Sequence, residues 1–209
     1  MTPFATLRGI AAPLMRENID TDAIISAQAM VGGRVERPGD VLFTAWRYRA
    51  DGSENPDFVL NTPRYRGATV LVSARNFGCG SSREHAVWAL TGYGIRCVIA
   101  PSFGEIFYDN AFQNGLLPAI VDDAVAQRIA EALERADRPE LEVDLEQRRL
   151  VLPEGEAIGF AVPEERRQAL LQGLDDLAFL LARAAETDRW ATETRREHPW
   201  MLAGRRAGA

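Results

Sequence analysis

The chain contains no lysine: all 24 of its basic residues are arginine. That absence removes whole classes of chemistry. A Walker-type phosphate loop needs its lysine, and Schiff-base or pyridoxal chemistry needs an amine nucleophile. Cysteine is scarce as well. Cys79 and Cys97 lie apart, and neither falls at zinc spacing with His85 or His198. Two thiols cannot supply the three or four ligands of an iron–sulfur cluster or a structural zinc. A single disulfide between them stays open, but a disulfide scaffold does not. Long apolar runs are missing, and stretches such as Leu177 to Leu181 are far too short to span a bilayer. The opening Met-Thr-Pro-Phe has no basic stretch running into an apolar core, so no signal peptide is expected. Excess positive charge is lacking too. A formal charge of -6 argues against a broad phosphate-binding surface, and Arg195-Arg196 and Arg205-Arg206 read as a solvated tail. These absences describe a soluble protein of a reducing compartment, the cytoplasm.

What is present suffices for a real core. Of 209 residues, 46% are hydrophobic and 26% charged, which fits one folded domain rather than a disordered chain. No repeat of 20–50 residues is visible. Leu7 to Leu14 reads as a strand, followed by the turn-prone acidic cluster Asn18 to Asp22, where an Asx turn at Asp20 or Asp22 would brace the loop. Residues 26–57, rich in Gly, Pro and charge, read as a long excursion outside the core. Ala68 to Ala74 is a short β-branched run that suits a buried strand. A glycine-rich loop, a helix from about Ser82 to Thr91 and a strand Cys97 to Ala100 come next. Strand, helix, strand at this length is a βαβ unit with parallel strands and a right-handed crossover.

A helix from Gly104 to Asn114 and a strand from Leu117 to Val121 extend that unit. Asn110 and Asn114 fall near the apolar face of that helix, where amides normally bond backbone. Val125 to Ala136 is helical, and Leu141 to Leu145 with Leu150 to Leu152 suggests a hairpin. Pro163 to Ala185 is helical with a break near Gly173. The whole reads as one α/β domain over residues 1–209, with 163–209 a peripheral helical extension.

The segment Asn76-Phe-Gly-Cys-Gly-Ser-Ser-Arg-Glu-His85 lies between a strand and a helix, where backbone amides and the helix dipole favour negative charge. It fails the dinucleotide fingerprint, because Arg83 stands where the last Gly or Ala is needed, and it fails the G-x-S-x-G frame of a nucleophile elbow. Ser81 and Glu84 have the spacing of a capping box, so the plain reading of Ser81 is a helix cap. Arg83 by default is a surface charge, His85 a satisfied polar residue and Cys79 a small buried hydrophobe. The chemical reading coexists with the plain one. A guanidinium beside a helix N-terminus suits a carboxylate, and the same amides ease ionisation of a serine hydroxyl.

At these residues the sequence resembles a known family. NFGCGSSREHAVWAL, with NIDTDAII before it and APSFGEIFYDNAFQNGLLP after it, closely resembles the small subunits of 3-isopropylmalate dehydratase, which are similar to the swivelling domain of aconitase. The resemblance extends to DGSENPDFVLN and QGLDDLAFLL, and G-S-S-R-E-H-A is a long and unusual string. It implies a swivelling β/β/α domain. It implies that Ser81 is the catalytic base, that Ser82 and Arg83 hold substrate carboxylate, and that a [4Fe-4S] cluster sits on a large partner subunit. The implied reaction moves water on a substituted malate, converting 2-isopropylmalate to 3-isopropylmalate for leucine synthesis.

After DTDAII this chain departs from the family pattern. Ser26 to Arg34 (SAQAMVGGR) stands where an aromatic-Leu-Lys/Arg-Thr stretch is usual, and that stretch is tied to the substrate's variable side group. Segment 26–39 is therefore expected to set which malate is accepted, and a paralogue for another substituted malate stays open. So do a non-enzymatic anion-binding module and a self-contained serine hydrolase, the last needing His85 or His198 as its base. The ligand count generates a prediction. Purified alone, the chain should be colourless, carry no stoichiometric iron and show no dehydratase activity. Iron analysis and an activity assay check this, and one tightly held cluster per chain would refute it.

Overall fold

The first strand organises the molecule, because its two halves pair with different partners. In the computed structural model, which describes residues 1–30, 37–198 and 200, β1 spans Thr6–Leu14. Its second half, Ala11 to Leu14, runs parallel to β2 (Val70–Ser73). Its first half, Thr6 to Ile10, runs antiparallel to β5 (Glu140–Asp144). Strands β3 (Cys97–Ala100) and β4 (Leu117–Ile120) continue the parallel side. Strands β6 (Arg149–Val151) and β7 (Ala157–Gly159) continue the antiparallel side. The result is one seven-stranded sheet in the order β4-β3-β2-β1-β5-β6-β7.

Helices cover both faces. In chain order they are α1 (Thr21–Ile24), α2 (Thr44–Arg47), α3 (Glu84–Tyr93), α4 (Glu105–Gln113), α5 (Asp123–Arg135), α6 (Glu164–Gln172), α7 (Asp176–Ala182) and α8 (Ala184–Glu197). Every residue of β2 and β3 is buried, as expected of parallel strands covered on both sides. Their side chains alternate between two cores. Val70, Val72, Cys97 and Ile99 pack with Ile129 and Leu133 of α5 and Leu170 of α6. Leu71 and Val98 pack with Val87 and Leu90 of α3 and Phe107 of α4. The central βαβ unit, β2-α3-β3, and the hairpin β5-β6 follow the sequence reading.

Among the described residues of 26–57, a part packs into the core rather than lying wholly outside it. Leu42 and Phe43 are completely buried in the second cluster, together with Phe58. Arg47 is buried between the rings of Tyr48 and Tyr93, and its guanidinium points at the carbonyls of Gly39 and Leu42. Gly and Pro content made this stretch read as solvent loop, whereas a few large side chains decide where it packs. Residues 31–36, inside the segment assigned to side-group recognition, lie outside the described residues. Further on, α6 reaches the core through Leu170, and the Met1 amino group and the Phe4 N–H both bond its C-terminal end. Leu177, Leu180, Leu181 and Trp190 of α7 and α8 are exposed.

Two glycines fix the geometry after β2. Gly78 has φ of 74°, and a Cβ there would sit 2.2 Å from the ring of Phe107. Gly104 brings the next loop against it, since a Cβ there would meet the Gly78 carbonyl oxygen at 2.5 Å. Gly78→Ala should therefore combine left-handed backbone strain of about 1–2 kcal/mol with overpacking of about 1–3 kcal/mol. A fall of about 2–5 kcal/mol in unfolding free energy is expected from urea midpoints, and an unchanged midpoint would contradict this packing.

Candidate functional site

The parallel strands end together, and the loops leaving β1, β2 and β3 form one rim at their carboxyl ends, where open α/β sheets place ligands. Phe77 anchors the middle loop. It is completely buried, with its ring edge-on to Phe107 at 5.3 Å. From there the backbone pairs on both sides. The Phe77 N–H donates to the Ser102 carbonyl at 3.1 Å, and the Phe77 carbonyl accepts from Gly104 at 2.9 Å. The Gly78 N–H donates to the Ile19 carbonyl at 2.7 Å, and the Cys79 carbonyl accepts from Thr21 at 2.9 Å. The buried Thr21 then donates its hydroxyl to the Ser81 carbonyl at 3.1 Å. Thus β1's loop holds the segment carrying Ser81, Ser82 and Arg83 from below.

The structure brings these three residues together but does not enclose them. Ser81 and Ser82 are exposed on the rim, and neither hydroxyl has a hydrogen-bond partner among the described residues. Ser81 does not cap the helix. Helix α3 begins at Glu84, and Arg83 occupies its N-cap position in extended geometry without a side-chain cap bond. The S-x-x-E spacing therefore makes no capping box. The reason is tertiary: pairing at residues 78–79 and the tether at Ser81 keep the chain out of helical geometry until Arg83. Ser81 is left with a free hydroxyl beside the positive end of a ten-residue helix.

Arg83 is the most buried of the three, with 21% of its side chain exposed, and its Nη1 is ion-paired with Asp22. The two acidic residues of the upstream cluster thus do different work. Asp20 caps α1, its Oδ1 accepting from the Ala23 N–H at 2.7 Å, which is the local turn the sequence suggested. Asp22 reaches across to Arg83, a contact that no local pattern revealed. Thr21, whose backbone and side chain both grip the loop, was missed for the same reason.

The remaining candidates show no reactive arrangement. Both cysteines are free thiols. Cys97 is completely buried in β3, and its thiol is pushed up by burial. Cys79 is half-buried beside Ser81. Burial, helped by the nearby Asp20 charge, raises its thiol above the ordinary value, so it is not an activated nucleophile at neutral pH. His85 packs against Trp88 with tilted rings, centroids 4.6 Å apart, and has no hydrogen bond to Ser81 among the described residues, so a hydrolytic Ser–His pair has no support. No group of three or more His, Cys, Asp or Glu side chains among the described residues is placed to hold a metal ion. This donor set does not fit a [4Fe-4S] cluster.

Asn110 and Asn114 are half-buried rather than buried. Asn114 does bond backbone, donating to the Asn110 carbonyl at 2.9 Å, but it also bonds two side chains of α3. Among the described residues, no helix is long and apolar enough to cross a membrane.

The division of labour between the two aspartates is open to test. Asp20→Ala removes a helix cap at the junction of two loops and should cost about 1 kcal/mol. Asp22→Asn breaks an exposed ion pair worth up to about 1 kcal/mol, so its denaturation midpoint should move less. Chemical denaturation of both variants checks the ranking, and the reverse order would contradict these assignments.

The Aconitase C-terminal domain family matches residues 1–124. The 3-isopropylmalate dehydratase small subunit of Rhodospirillum centenum is 46% identical over 202 residues, covering 97% of this chain and 100% of the relative. That of Cupriavidus necator is 48% identical over 206 residues, covering 96% and 98%. Among solved structures, a 3-isopropylmalate dehydratase from Methanocaldococcus jannaschii superposes with a TM-score of 0.60 at 28% identity, covering 88% of this chain and 98% of that one. A sheet pinned on β1, a serine–serine–arginine rim and sequence identity along nearly the whole length agree: the chain belongs to the 3-isopropylmalate dehydratase small-subunit family.

Proposed function

We propose that this chain is the small subunit of a two-protein hydro-lyase that interconverts 2-isopropylmalate and 3-isopropylmalate by dehydration and rehydration, as a step of leucine biosynthesis in the cytoplasm. The observation that carries the reading is the rim itself. A free serine hydroxyl, a second serine and a half-buried arginine are exposed together at the start of α3, on a loop braced from beneath.

In this reading Ser81 is the base. Its hydroxyl is not committed to capping, and the helix N-terminus lowers the cost of the alkoxide that must take a proton from carbon. On rehydration, the same hydroxyl returns a proton to carbon. Ser82 and Arg83 hold a substrate carboxylate. A guanidinium has five N–H donors in a rigid fork, and Asp22 engages Nη1, so the other donors serve the substrate. Asp22 also keeps the guanidinium aimed along the rim, a positioning role for an exposed carboxylate.

The leaving hydroxyl needs a Lewis acid, and the two cysteines of this chain cannot carry one. The reading therefore assigns a [4Fe-4S] cluster to a large partner subunit, which closes over the exposed serines to complete the active site. The partner arrangement, one large chain per small chain or multiples of it, is part of the proposal. A second reading, a paralogue for another substituted malate, rests on Ser26 to Arg34, where this sequence departs from the family's side-group stretch.

Kinetics of the assembled complex test the roles separately. Ser81→Ala should lower kcat by roughly 10²–10⁴-fold with KM little changed, since it removes the base and leaves carboxylate contacts intact. Its thermal midpoint should stay near the unmodified value, because Ser81 caps nothing. Arg83→Ala should instead lower kcat/KM, by an amount corresponding to about 2–5 kcal/mol for a lost charged contact to a desolvated carboxylate. Near-normal turnover in Ser81→Ala would refute the base assignment.

A further inference from the structure

The loop carrying Ser81 and Arg83 is braced from below by α1, yet α3, which follows it at once, has no side-chain cap at its N-terminus. Something else fixes where that helix begins. The first turn of α3 is held from the end of α4, through one amide. Asn114, at the C-cap of α4, donates its Nδ2 to Glu84 Oε1 at 3.0 Å and to the Asn110 carbonyl at 2.9 Å. Its Oδ1 accepts from Trp88 Nε1 at 2.9 Å. The orientation of the amide follows from its partners. An indole can only donate and a carboxylate only accept, so a flipped Asn114 would lose both contacts. Glu84 directly follows Arg83, and Trp88 lies one turn further along the same face.

We propose that Asn114 is a positioning residue for the reaction, which through Glu84 and Trp88 sets where α3 starts and so where Ser81 and Arg83 stand on the rim. The inference rests on the reading of those two residues as base and carboxylate holder. Two clamps act on the loop from opposite ends. Thr21 and Asp22 hold the Ser81 carbonyl and the Arg83 guanidinium from β1's side, and Asn114 holds the helix that receives the chain. Asn114 touches neither reacting group, so its contribution is geometric. Displacements of about 1 Å at reacting groups can cost on the order of a hundredfold in rate.

The test exchanges donor and acceptor. Asn114→Asp keeps size and the Trp88 contact but sets a carboxylate against Glu84, removing the bridge. Adding Glu84→Gln returns an N–H donor from the other side and removes the like-charge contact. Each variant is assembled with the unmodified large subunit, and kcat and KM are measured per assembled complex, well below each thermal midpoint. The expected result is a kcat for Asn114→Asp lower by roughly fivefold or more, with KM changed less. The double variant Asn114→Asp/Glu84→Gln should recover most of that loss. A kcat for Asn114→Asp within about twofold of the unmodified complex overturns the proposal, as does a double variant no faster than the single one. A purely structural amide would lower the thermal midpoint while leaving turnover per complex normal, and that outcome also overturns it. Ser81→Ala in parallel separates the two claims: if it is inactive while Asn114→Asp turns over normally, only the positioning role fails.

Discussion

The structure depends on a single strand having two kinds of neighbour. From Ala11 onward β1 pairs parallel with β2, and up to Ile10 it pairs antiparallel with β5. A parallel pair needs a long crossover, while antiparallel strands can be joined by tight turns. The parallel half therefore carries the helices α3 and α4, and the antiparallel half is a compact meander of β5, β6 and β7. Because the side-chain period is two, the register of β1 also decides which residues face which core. Ala11 joins the cluster with α5 while Ala12 joins the cluster with α3. A slip of one residue would exchange them and move the rim loop with its neighbours.

The rim inherits its precision from that arrangement. Residues 77–79 pair with the loop after β3 on one side and the loop after β1 on the other, so the site segment continues the order of the sheet beyond the strands. The loop is buried at Phe77 and Gly78 and exposed at Ser81 and Ser82, the groups proposed to do chemistry. A chain that folded to bury its serines would shield them from a partner. This one instead presents them, with the guanidinium between them and α3 already paired to a carboxylate. Such a surface gains most of its electrostatic strength only when a second surface excludes water from it.

Identical side chains acquire different duties here through geometry alone. Asp20 and Asp22 are two residues apart at the start of a four-residue helix, and one caps it while the other crosses to Arg83. Asn110 and Asn114 are one helical turn apart, and Asn114 at the C-cap binds both its own helix and α3. Arg47 is buried between aromatic rings, whereas the Arg8–Glu140 pair lies largely in solvent. None of these distinctions is set by residue type, because each depends on what the surrounding backbone and side chains bring into reach.

The sequence by itself determined the central elements. Four-residue apolar runs at Val70 to Ser73 and Cys97 to Ala100 can be buried on both faces only as interior strands, and Gly94, Gly115 and Gly173 end the helices before them. It also located the candidate site, since Gly-Ser-Ser-Arg before an apolar helical pattern is a strong local signal, and its two cysteines bound what metal chemistry the chain could hold. Tertiary structure decided what local pattern does not carry. It kept Ser81 out of the capping box that its spacing permits, because residues 78, 79 and 81 are tied to residues 19–21, some 60 positions away. It drew Leu42 and Phe43 into the core from a stretch whose glycines and prolines resemble solvent loop. It added β7, three residues with one buried side chain, too short to show a period. Local pattern reports the pull of nearby residues and hydrophobic periodicity, whereas the first two outcomes were set by partners distant in sequence and the third by a strand too short to carry a pattern.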